Sequence, residues 1–351
     1  MSAWIESEIV EQPGLLARTL ERCGDDATLE TYRGTRLHLV GCGDMAFASE
    51  AAAWLARCRG QSDVQAHFSM SMRWLKDQLS TDAHVVCGSI SGRTPRTIEA
   101  ARAARASGAR VLALTDNVDS VLAEAASDVF DLQTSPREAL GQGEYPGYHH
   151  QVPQTKTFLV TLLTQCALVS EEREEWRLSA LPEHVAQVLR GAPSAVEAST
   201  EVLEDRRRVI VLGSGPFLPI AKYWSAKLKE YAIDSQAQCV EEYNHLEMFQ
   251  ADEGTLVLVL APDGPSRRRA DELSEAWTPL GAKTALIDPR EWVGSAPDLL
   301  TSVFGLAVTG QLWAVAAAKR LGRDLDLWLG GERTELMNTV SQIAIRGSKI
   351  E

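Results

Sequence analysis

Short continuous runs of apolar residues recur along the chain, and several are followed by a glycine-containing turn and then by apolar residues at helical spacing. A continuous apolar run of this length is typical of a strand buried on both faces of a parallel sheet. The pattern therefore predicts an α/β fold with doubly wound, flavodoxin-like parallel sheets. The runs occupy residues 36–44, 85–88, 109–116, 207–215, 255–264 and 282–288.

The run that ends at Gly43 corresponds to the run that ends at Gly215, segment 83–92 corresponds to 255–264, and segment 109–115 to 282–288, so the offset is 172 or 173 residues throughout. Because a constant offset across three predicted strands indicates a duplicated unit, the chain is predicted to hold two tandem copies of one α/β domain. A polar stretch at 191–200 separates the copies, which gives predicted domains at 1–192 and 193–351. Only the first copy has a cluster of hydroxyl residues after its second run, so one anion-binding loop per chain is expected.

Two helical segments flank the first copy. The N-terminal segment 6–22 has apolar residues at helical spacing on both sides of Pro13 and Gly14. Since proline lacks a backbone N–H and clashes with the preceding turn, two short helices are predicted there. A second apolar helix is predicted at 157–169, after a glycine- and proline-rich loop whose His149 and His150 are interpreted as solvated residues.

The hydroxyl cluster lies at 88–97, between the run 85–88 and a helical pattern that continues to residue 107. A helix N-terminus has unpaired N–H groups with partial positive charge, so it binds an anion well. Serine and threonine also cap helices that bind nothing, and that alternative applies here. The cluster has more hydroxyl groups than a cap requires, so it predicts a phosphate-binding loop formed by Ser89, Ser91, Gly92, Thr94 and Thr97.

The composition is that of a soluble globular protein, with 45% hydrophobic and 24% charged residues among 351. A formal net charge of −13 opposes a nucleic acid or an anionic membrane as partner. No apolar run is expected to reach the length of a membrane span and the N-terminus lacks the order of a signal peptide, so a cytoplasmic protein is expected. The six cysteines show no metal-binding or disulfide spacing, so neither a structural metal nor a disulfide framework is predicted, and no cofactor is expected.

The hydroxyl cluster resembles the phosphosugar loop of the SIS (sugar isomerase) family, whose common pattern is Ser-x-Ser-Gly-x-Thr-x-(Asp/Glu)-Thr. All its serine, glycine and threonine positions are matched, whereas Arg96 stands at the acidic position. The resemblance implies that the loop binds the phosphate group of a sugar phosphate. Arg93 and Arg96 favour an anion further, and they also fit a different anionic substituent, such as a sulfonate.

Three other segments resemble SIS proteins related to the isomerase half of glucosamine-6-phosphate synthase. The string Glu-Ile-Val-Glu-Gln-Pro at 8–13 matches the segment that enters that half. The glycine turn after the first run implies sugar contacts by Gly43 and Asp44, although Asp44 and Met45 stand where the family has hydroxyl residues. The string Val-Pro-Gln-Thr-Lys that begins at Val152 resembles the family's substrate loop and implies contacts by Val152 and Gln154.

The second copy and the C-terminus imply catalytic residues. The string Lys-Leu-Lys-Glu resembles a family segment whose glutamate moves a proton between C1 and C2 of the open-chain sugar, which gives this role to Glu230. Without the resemblance, Glu230 is a helix-surface carboxylate paired with Lys227. The segment around His245 resembles the histidine segment of bifunctional phosphoglucose/phosphomannose isomerases, and implies that His245 opens the sugar ring. Lys349 matches a tail lysine that can form a Schiff base.

The resemblance as a whole implies an enzyme that acts on an open-chain hexose 6-phosphate by proton transfer between C1 and C2. It leaves open whether an amine is released, as in a deglycase or deaminase, or whether an aldose and a ketose interconvert. An isomerase of a sulfonated sugar and a non-catalytic sugar-phosphate-binding protein are the alternatives. In relatives the histidine enters from the neighbouring subunit, so a homodimer with a shared active site is also implied.

Overall fold

The structure is a computed structural model of the chain, and it divides into two compact units. The first-sheet unit consists of residues 14–179 and 333–351, and the second-sheet unit of residues 1–13 and 180–332. The described residues are all those of the chain except 1–3, 34–35, 80, 135–152, 171–175, 204–205, 263, 294–297, 328, 330–332, 342, 345–346 and 348–351.

The first-sheet unit contains a five-stranded parallel sheet in the order β2-β1-β3-β4-β5. Leu37 of the central strand β1 is in register with Val64 of β2 and with His84 of β3. Every residue of β1 is buried, as the continuous apolar run predicts. The strands are β1 Leu37–Gly41, β2 Val64–Phe68, β3 His84–Gly88, β4 Arg110–Thr115 and β5 Asp128–Asp131.

The helix α1, Trp4–Asp25, contains residues of both units. The other helices of the first-sheet unit follow the strands or close the unit, and one of them, α7, is buried along its whole length. They are α2 Ala27–Glu30, α3 Asp44–Cys58, α4 Met72–Leu75, α5 Pro95–Ala106, α6 Val121–Ala125, α7 Lys156–Val169 and α14 Thr334–Ser341.

The second-sheet unit contains a four-stranded parallel sheet in the order β7-β6-β8-β9. Its strands are β6 Arg208–Gly213, β7 Ser235–Gln238, β8 Thr255–Leu260 and β9 Lys283–Ile287. Its helices are α8 Leu181–Gly191, α9 Pro193–Ser199, α10 Phe217–Glu230, α11 Val240–Tyr243, α12 Gly264–Trp277 and α13 Leu299–Arg320. The predicted domain boundary after residue 192 falls between α8 and α9, and both helices belong to the second-sheet unit. The division of the chain into domains at 1–192 and 193–351 stays a prediction.

The predicted α/β fold with parallel sheets is confirmed, and the order of the first four strands is the same in both sheets. The ends of corresponding strands lie 172 residues apart, at Gly41 and Gly213, at Gly88 and Leu260, and at Thr115 and Ile287. The predicted offset therefore recurs in the positions of the strands themselves.

The prediction of two short N-terminal helices is wrong, because α1 continues through Pro13. A proline leaves the carbonyl group four residues earlier without its helical donor. Here that carbonyl belongs to Ile9, and it accepts a hydrogen bond from the side-chain Nε2 of Gln12 at 3.0 Å. The side chain of the residue before the proline replaces the missing backbone donor, which allows the helix to continue.

One helix, α13, is long and apolar enough to cross a membrane by length and composition, so the expectation that no segment reaches such a length is wrong. In the structure 78% of its apolar window is buried, as is typical of the core helix of a globular protein. Among the described residues, no group of three or more His, Cys, Asp or Glu side chains is arranged to hold a metal ion.

Candidate functional site

The predicted phosphate loop connects the end of β3 to the start of α5. Thr94 occupies the N-cap position of α5 and Pro95 its first turn, but the Thr94 side chain makes no capping hydrogen bond. Instead the hydroxyl groups of Thr94 and Ser89 bond to each other at 2.9 Å. The first N–H groups of α5 are thus not satisfied by the usual cap, which is the arrangement of an anion-binding helix start.

The turn of this loop depends on Gly92, whose φ of +60° lies in the left-handed region. A Cβ at this position would lie 1.9 Å from the Oγ of Ser120. The Gly92 carbonyl accepts from the backbone N–H of Leu122 at 3.1 Å, and Ser91 Oγ accepts from the N–H of Arg93 at 3.3 Å. The loop is therefore anchored to the start of α6, while the Arg93 side chain remains exposed.

Thr97 lies behind the loop and is fully buried. Its hydroxyl bonds to the hydroxyl of Ser69 at 2.9 Å, and Cys42 Sγ lies 3.9 Å away. The sequence analysis placed Thr97 among the phosphate contacts and missed Ser69. The signal that could have found Ser69 is its position directly after β2, since the carboxyl ends of parallel strands meet at one edge of a sheet.

The substituted position in the loop, Arg96, forms an ion pair with Glu99 one turn later on α5. Both side chains are partly buried, at 17% and 27% exposure. Because Glu99 neutralises much of its charge, Arg96 adds less to the positive potential at the loop than its charge alone indicates. Of the two arginines in the sequence motif, only Arg93 has an exposed side chain.

The glycine turn after β1 begins α3, with Gly43 at the N-cap in the left-handed region at φ +55°. Asp44 is the first residue of the helix, where the helix dipole favours a negative charge. Met45 is only 7% exposed, and its Sδ accepts a hydrogen bond from Thr161 of α7 at 3.2 Å. Met45, which stands at a hydroxyl position of the family, is therefore a core residue that packs under the end of β3.

The predicted substrate loop is described only in part. Val152 lies outside the described residues, as do Lys349, His149 and His150. Gln154 is half-buried and lies two residues before α7 begins. The roles predicted for Val152 and Lys349 stay predictions.

The predicted base, Glu230, is the last residue of α10, and its side chain is 25% exposed. Its Oε1 accepts a hydrogen bond from Lys227 Nζ at 2.8 Å. Lys227 is only 2% exposed, and its Nζ lies 5.3 Å from the ring centroid of Tyr223. The ion pair between Glu230 and Lys227 is present, but the Lys227 side chain is buried. The pair is therefore not a solvated pair on the helix surface.

Tyr231 follows Glu230 and is almost fully buried. Burial, and next the nearby charge of Glu230, raise the pKa of the Tyr231 hydroxyl far above its ordinary value. The hydroxyl donates to the carbonyl of Leu325 at 3.0 Å. The tyrosine thus stays neutral and fixes the end of α10, where Glu230 lies.

The predicted ring-opening residue, His245, lies in the turn after α11 and has an exposed side chain. Its backbone N–H donates to the carbonyl of Glu242 at 3.0 Å, which shapes the turn. The neighbouring Leu246 and Phe249 are large apolar side chains with 56% and 77% exposure. Within the second-sheet unit, the structure thus pairs Glu230 with Lys227 and leaves His245 facing solvent.

These features define a class of α/β protein with two parallel sheets, a hydroxyl-rich loop at a helix start after one strand, and a partly buried carboxylate ion pair. The family is recognised by comparison, because the SIS domain model matches residues 32–168, which include all of the first sheet and the loop. This part of the chain is a SIS domain, and the resemblance seen in the sequence is confirmed.

Among curated proteins, the chain is 23% identical over 354 residues to a glutamine–fructose-6-phosphate aminotransferase (isomerizing) from Brucella abortus. The match covers 92% of this chain and 57% of that protein. The enzyme of the same name from Corynebacterium glutamicum is 27% identical over 297 residues, which cover 76% of this chain and 44% of the relative. The chain thus spans about half the length of the curated relatives it matches.

Solved structures with a similar fold include a sugar-phosphate aminotransferase domain, an isomerase and a deaminase. The C-terminal domain of glucosamine-fructose-6-phosphate aminotransferase from Francisella tularensis has a TM-score of 0.74 at 19% identity, with 92% of this chain and 97% of that chain covered. Tagatose-6-phosphate ketose/aldose isomerase from Escherichia coli has a TM-score of 0.74 at 18% identity, with 93% and 95% covered. Glucosamine-6-phosphate deaminase from Thermotoga maritima has a TM-score of 0.69 at 17% identity, with 90% and 94% covered.

Proposed function

We propose that the protein is a phosphosugar enzyme that binds an open-chain hexose 6-phosphate and transfers a proton between its C1 and C2. The observation on which the proposal depends is the loop from Ser89 to Thr94, where hydroxyl groups surround a helix start that the Thr94 side chain does not cap. Relatives named as fructose-6-phosphate aminotransferases, a tagatose-6-phosphate isomerase and a glucosamine-6-phosphate deaminase support a phosphorylated hexose as ligand.

In the proposed binding mode, the sugar phosphate accepts hydrogen bonds from the amides at the start of α5 and from the hydroxyls of Ser89, Ser91 and Thr94. Gly92 allows the backbone to turn toward the anion, and Thr97 supports the loop from behind through Ser69. Gly43, Asp44, Val152 and Gln154 are the proposed contacts to the sugar.

In the proposed reaction, Glu230 removes the proton from one of the two carbons and returns it to the other, through an enediol or enaminol. A base with this task is most effective when it is partly shielded from water, and the partial burial of Glu230 beside the buried Lys227 supports the assignment. His245 opens the sugar ring, and Lys349 is the proposed tail amine. When nitrogen is bound to C1 or C2, the same transfers lead to a deglycase or deaminase reaction; when oxygen is bound to both carbons, they lead to isomerisation.

The proposed molecule consists of two tandem SIS domains, works in the cytoplasm and forms a homodimer whose sites are shared. The tandem architecture is supported by the matched glycines Gly43 and Gly215, which lie 172 residues apart and have φ angles of +55° and +57°. The homodimer is supported by the exposure of His245, since a side chain that faces solvent in one chain is accessible to the site of another.

The test of the reaction is solvent deuterium exchange into fructose 6-phosphate and glucosamine 6-phosphate, followed by NMR. The substitution Glu230→Gln keeps the shape and removes the proton carrier, so exchange should fall by about 10²–10⁴-fold while thermal stabilisation by the ligand remains. The matched control is Glu183→Gln, which removes a carboxylate from an exposed ion pair with Arg190 and should leave exchange unchanged. Equal exchange in Glu230→Gln and wild type would remove Glu230 from the mechanism.

Ligand binding measured beside deuterium exchange separates an enzyme from a binding protein. The double substitution Ser91→Ala with Thr94→Ala should weaken binding by about 2–4 kcal/mol, at roughly 1–3 kcal/mol for each lost charge-assisted partner. Binding without any exchange would identify a sugar-phosphate-binding protein. Stabilisation by a sulfonated sugar but not by a hexose 6-phosphate would favour the second candidate, an isomerase of a sulfonated sugar, to which the exposed Arg93 is suited.

A further inference from the structure

A buried network of uncharged side chains connects the N-terminal helix to the helix that ends at Glu230. The glutamine network, as we name it, consists of Gln12 of α1, Gln311 of α13 and Tyr223 of α10, all at most 1% exposed. Gln12 Nε2 donates to Gln311 Oε1 at 2.7 Å, and Gln311 Nε2 donates back to Gln12 Oε1 at 3.2 Å. Gln311 Nε2 also donates to the Tyr223 hydroxyl at 3.0 Å.

The hydrogen-bond pattern fixes the orientation of both amide groups. A side-chain amide has two N–H donors, and both donors of Gln12 have acceptors, the Ile9 carbonyl at 3.0 Å and Gln311 Oε1. Reversal of the Gln12 amide would place its oxygen against the Ile9 carbonyl, which already lacks a helical donor because of Pro13. The backbone donor that Pro13 lacks therefore determines the direction of the network.

The network ends under the ammonium group of Lys227. Tyr223, Lys227 and Glu230 are spaced by four and then three residues along α10, so they share one face of the helix. Lys227 Nζ lies 5.3 Å from the Tyr223 ring centroid, within the range of a cation–π contact, and donates to Glu230 Oε1 at 2.8 Å. The Tyr223 ring thus lies beside the ammonium group, and the bond from Gln311 to the Tyr223 hydroxyl holds the ring.

A purely structural role does not require polar groups at these positions. Buried polar pairs contribute no more to stability than apolar residues of similar volume, and their value is in selecting one arrangement. A general base needs such a fixed arrangement, because small displacements from the reacting carbon cost much of the rate.

We propose that the glutamine network positions the ammonium group of Lys227 against the carboxylate of Glu230, a proposal that rests on the catalytic role proposed for Glu230. Gln12, Gln311 and Tyr223 touch no substrate in this scheme and act through the ion pair. The N-terminal segment, which is more than 200 residues away in sequence from Glu230, is thereby part of the support of the base.

The test uses Tyr223→Phe, which removes the hydroxyl and keeps the ring, and Gln311→Leu, which removes both amide donors. Thr309→Val is the matched control, since Thr309 is also fully buried on α13 and its hydroxyl bonds only within the helix, to the Gly305 carbonyl at 2.8 Å. Full-length variants are compared by the deuterium exchange of fructose 6-phosphate as a function of pH.

The first readout is the exchange rate and its pH profile. Tyr223→Phe and Gln311→Leu should each lower the rate by about 10–100-fold. The acidic limb of the profile should move to higher pH, because a cation held near a carboxylate favours the ionised form. The double substitution should be no worse than the more severe single one, since both break the same connection. Thr309→Val should retain the rate and the profile of the wild type.

The second readout is independent of catalysis. Acetylation of lysines by a water-soluble ester is followed by mass spectrometry, with the exposed Lys229 as the internal reference for Lys227. The Lys227-to-Lys229 ratio should rise by about tenfold or more in Tyr223→Phe and Gln311→Leu, because the ammonium group is released from its site, and stay unchanged in Thr309→Val.

The two readouts separate the possible failures. An unchanged acetylation ratio together with an unchanged pH profile, in either folded variant, overturns the positioning role. A second outcome is a raised acetylation ratio in Tyr223→Phe and Gln311→Leu together with wild-type deuterium exchange in Glu230→Gln. This outcome overturns the proposed reaction, while the positioning of Lys227 by the glutamine network stands. Tyr223→Phe removes a single oxygen atom, so it supplies the decisive result even when Gln311→Leu does not fold.

Discussion

The substitution Gly92→Ala tests whether the start of α6 imposes the shape of the proposed phosphate loop. Two costs are expected. An alanine at φ +60° costs about 1–2 kcal/mol relative to glycine, because its Cβ approaches the following carbonyl oxygen. In addition, the new Cβ would lie 1.9 Å from Ser120 Oγ and 2.2 Å from Ser120 Cβ, so Ser120 must move.

Movement of Ser120 has its own cost, because its Oγ accepts the N–H of Ala123 at 3.3 Å and caps α6. Loss of such a cap costs about 0.5–2 kcal/mol. Gly92→Ala should therefore destabilise the first-sheet unit by about 2–4 kcal/mol in total. The matched control is Gly43→Ala, at φ +55° but with no atom within 4 Å of the added Cβ, which should cost only the conformational 1–2 kcal/mol or so.

The assay is hydrogen exchange of the buried amides of β3, which reports the local free energy of unfolding in a chain with two compact units. Ser120→Gly removes the two atoms nearest to the new Cβ, which leaves Thr115 Oγ1 at 3.2 Å as the next neighbour, and it costs about a few tenths of a kcal/mol by itself. In that background Gly92→Ala should cost about as much as Gly43→Ala. Equal costs for the two glycine substitutions in the wild-type background, or no relief by Ser120→Gly, would refute the steric reasoning.

Two further predictions concern a histidine pair in the first sheet and the helix packing of the second-sheet unit. His38 Nδ1 and His67 Nε2 lie 3.0 Å apart, and burial together with the nearby His38 lowers the pKa of His67 to about 4. In the unfolded chain His67 has the ordinary histidine pKa of about 6.5, so the unfolded state takes up a proton at higher pH than the folded state does. The stability that this difference contributes is therefore fully present above pH 6.5 or so and is lost as the pH falls toward about 4. The loss is at most about 3 kcal/mol, at 1.36 kcal/mol per pKa unit. His67→Gln should remove this part of the pH dependence from urea unfolding curves, while the part due to His38, whose pKa burial also lowers, remains. The same pH dependence of the unfolding free energy in both proteins would contradict the assignment. Gly310→Ala should destabilise the protein by about 2–4 kcal/mol, although the same exchange in an exposed helix stabilises by about 1 kcal/mol, because the new Cβ would lie 2.3 Å from Trp224 Nε1. That nitrogen donates to the Leu306 carbonyl at 2.7 Å, and a stabilised variant would show that α10 and α13 are not packed closely at Gly310.

The local patterns of the sequence determined six of the nine described strands and the position of the hydroxyl-rich loop, whereas β2, β5 and β7 lie outside the predicted apolar runs. A strand buried on both faces requires an almost continuous apolar run, so the run that became β8 could be recognised without any tertiary contact. The hydroxyl cluster after β3 has a meaning that depends only on its position at a helix start, and the structure places Thr94 at the N-cap of α5. The 172-residue offset follows from the positions of the strands along the chain.

Only the tertiary structure decided what the side chains of these elements contact. Pro13 predicts a helix break, and the break is avoided because the Gln12 side chain donates to the Ile9 carbonyl. The spacing alone describes Glu230 as a surface carboxylate paired with Lys227, whereas in the structure Lys227 is buried and lies beside the Tyr223 ring. Sequence periodicity reports which way a residue faces along its own helix or strand, whereas these contacts depend on how elements far apart in the chain pack together.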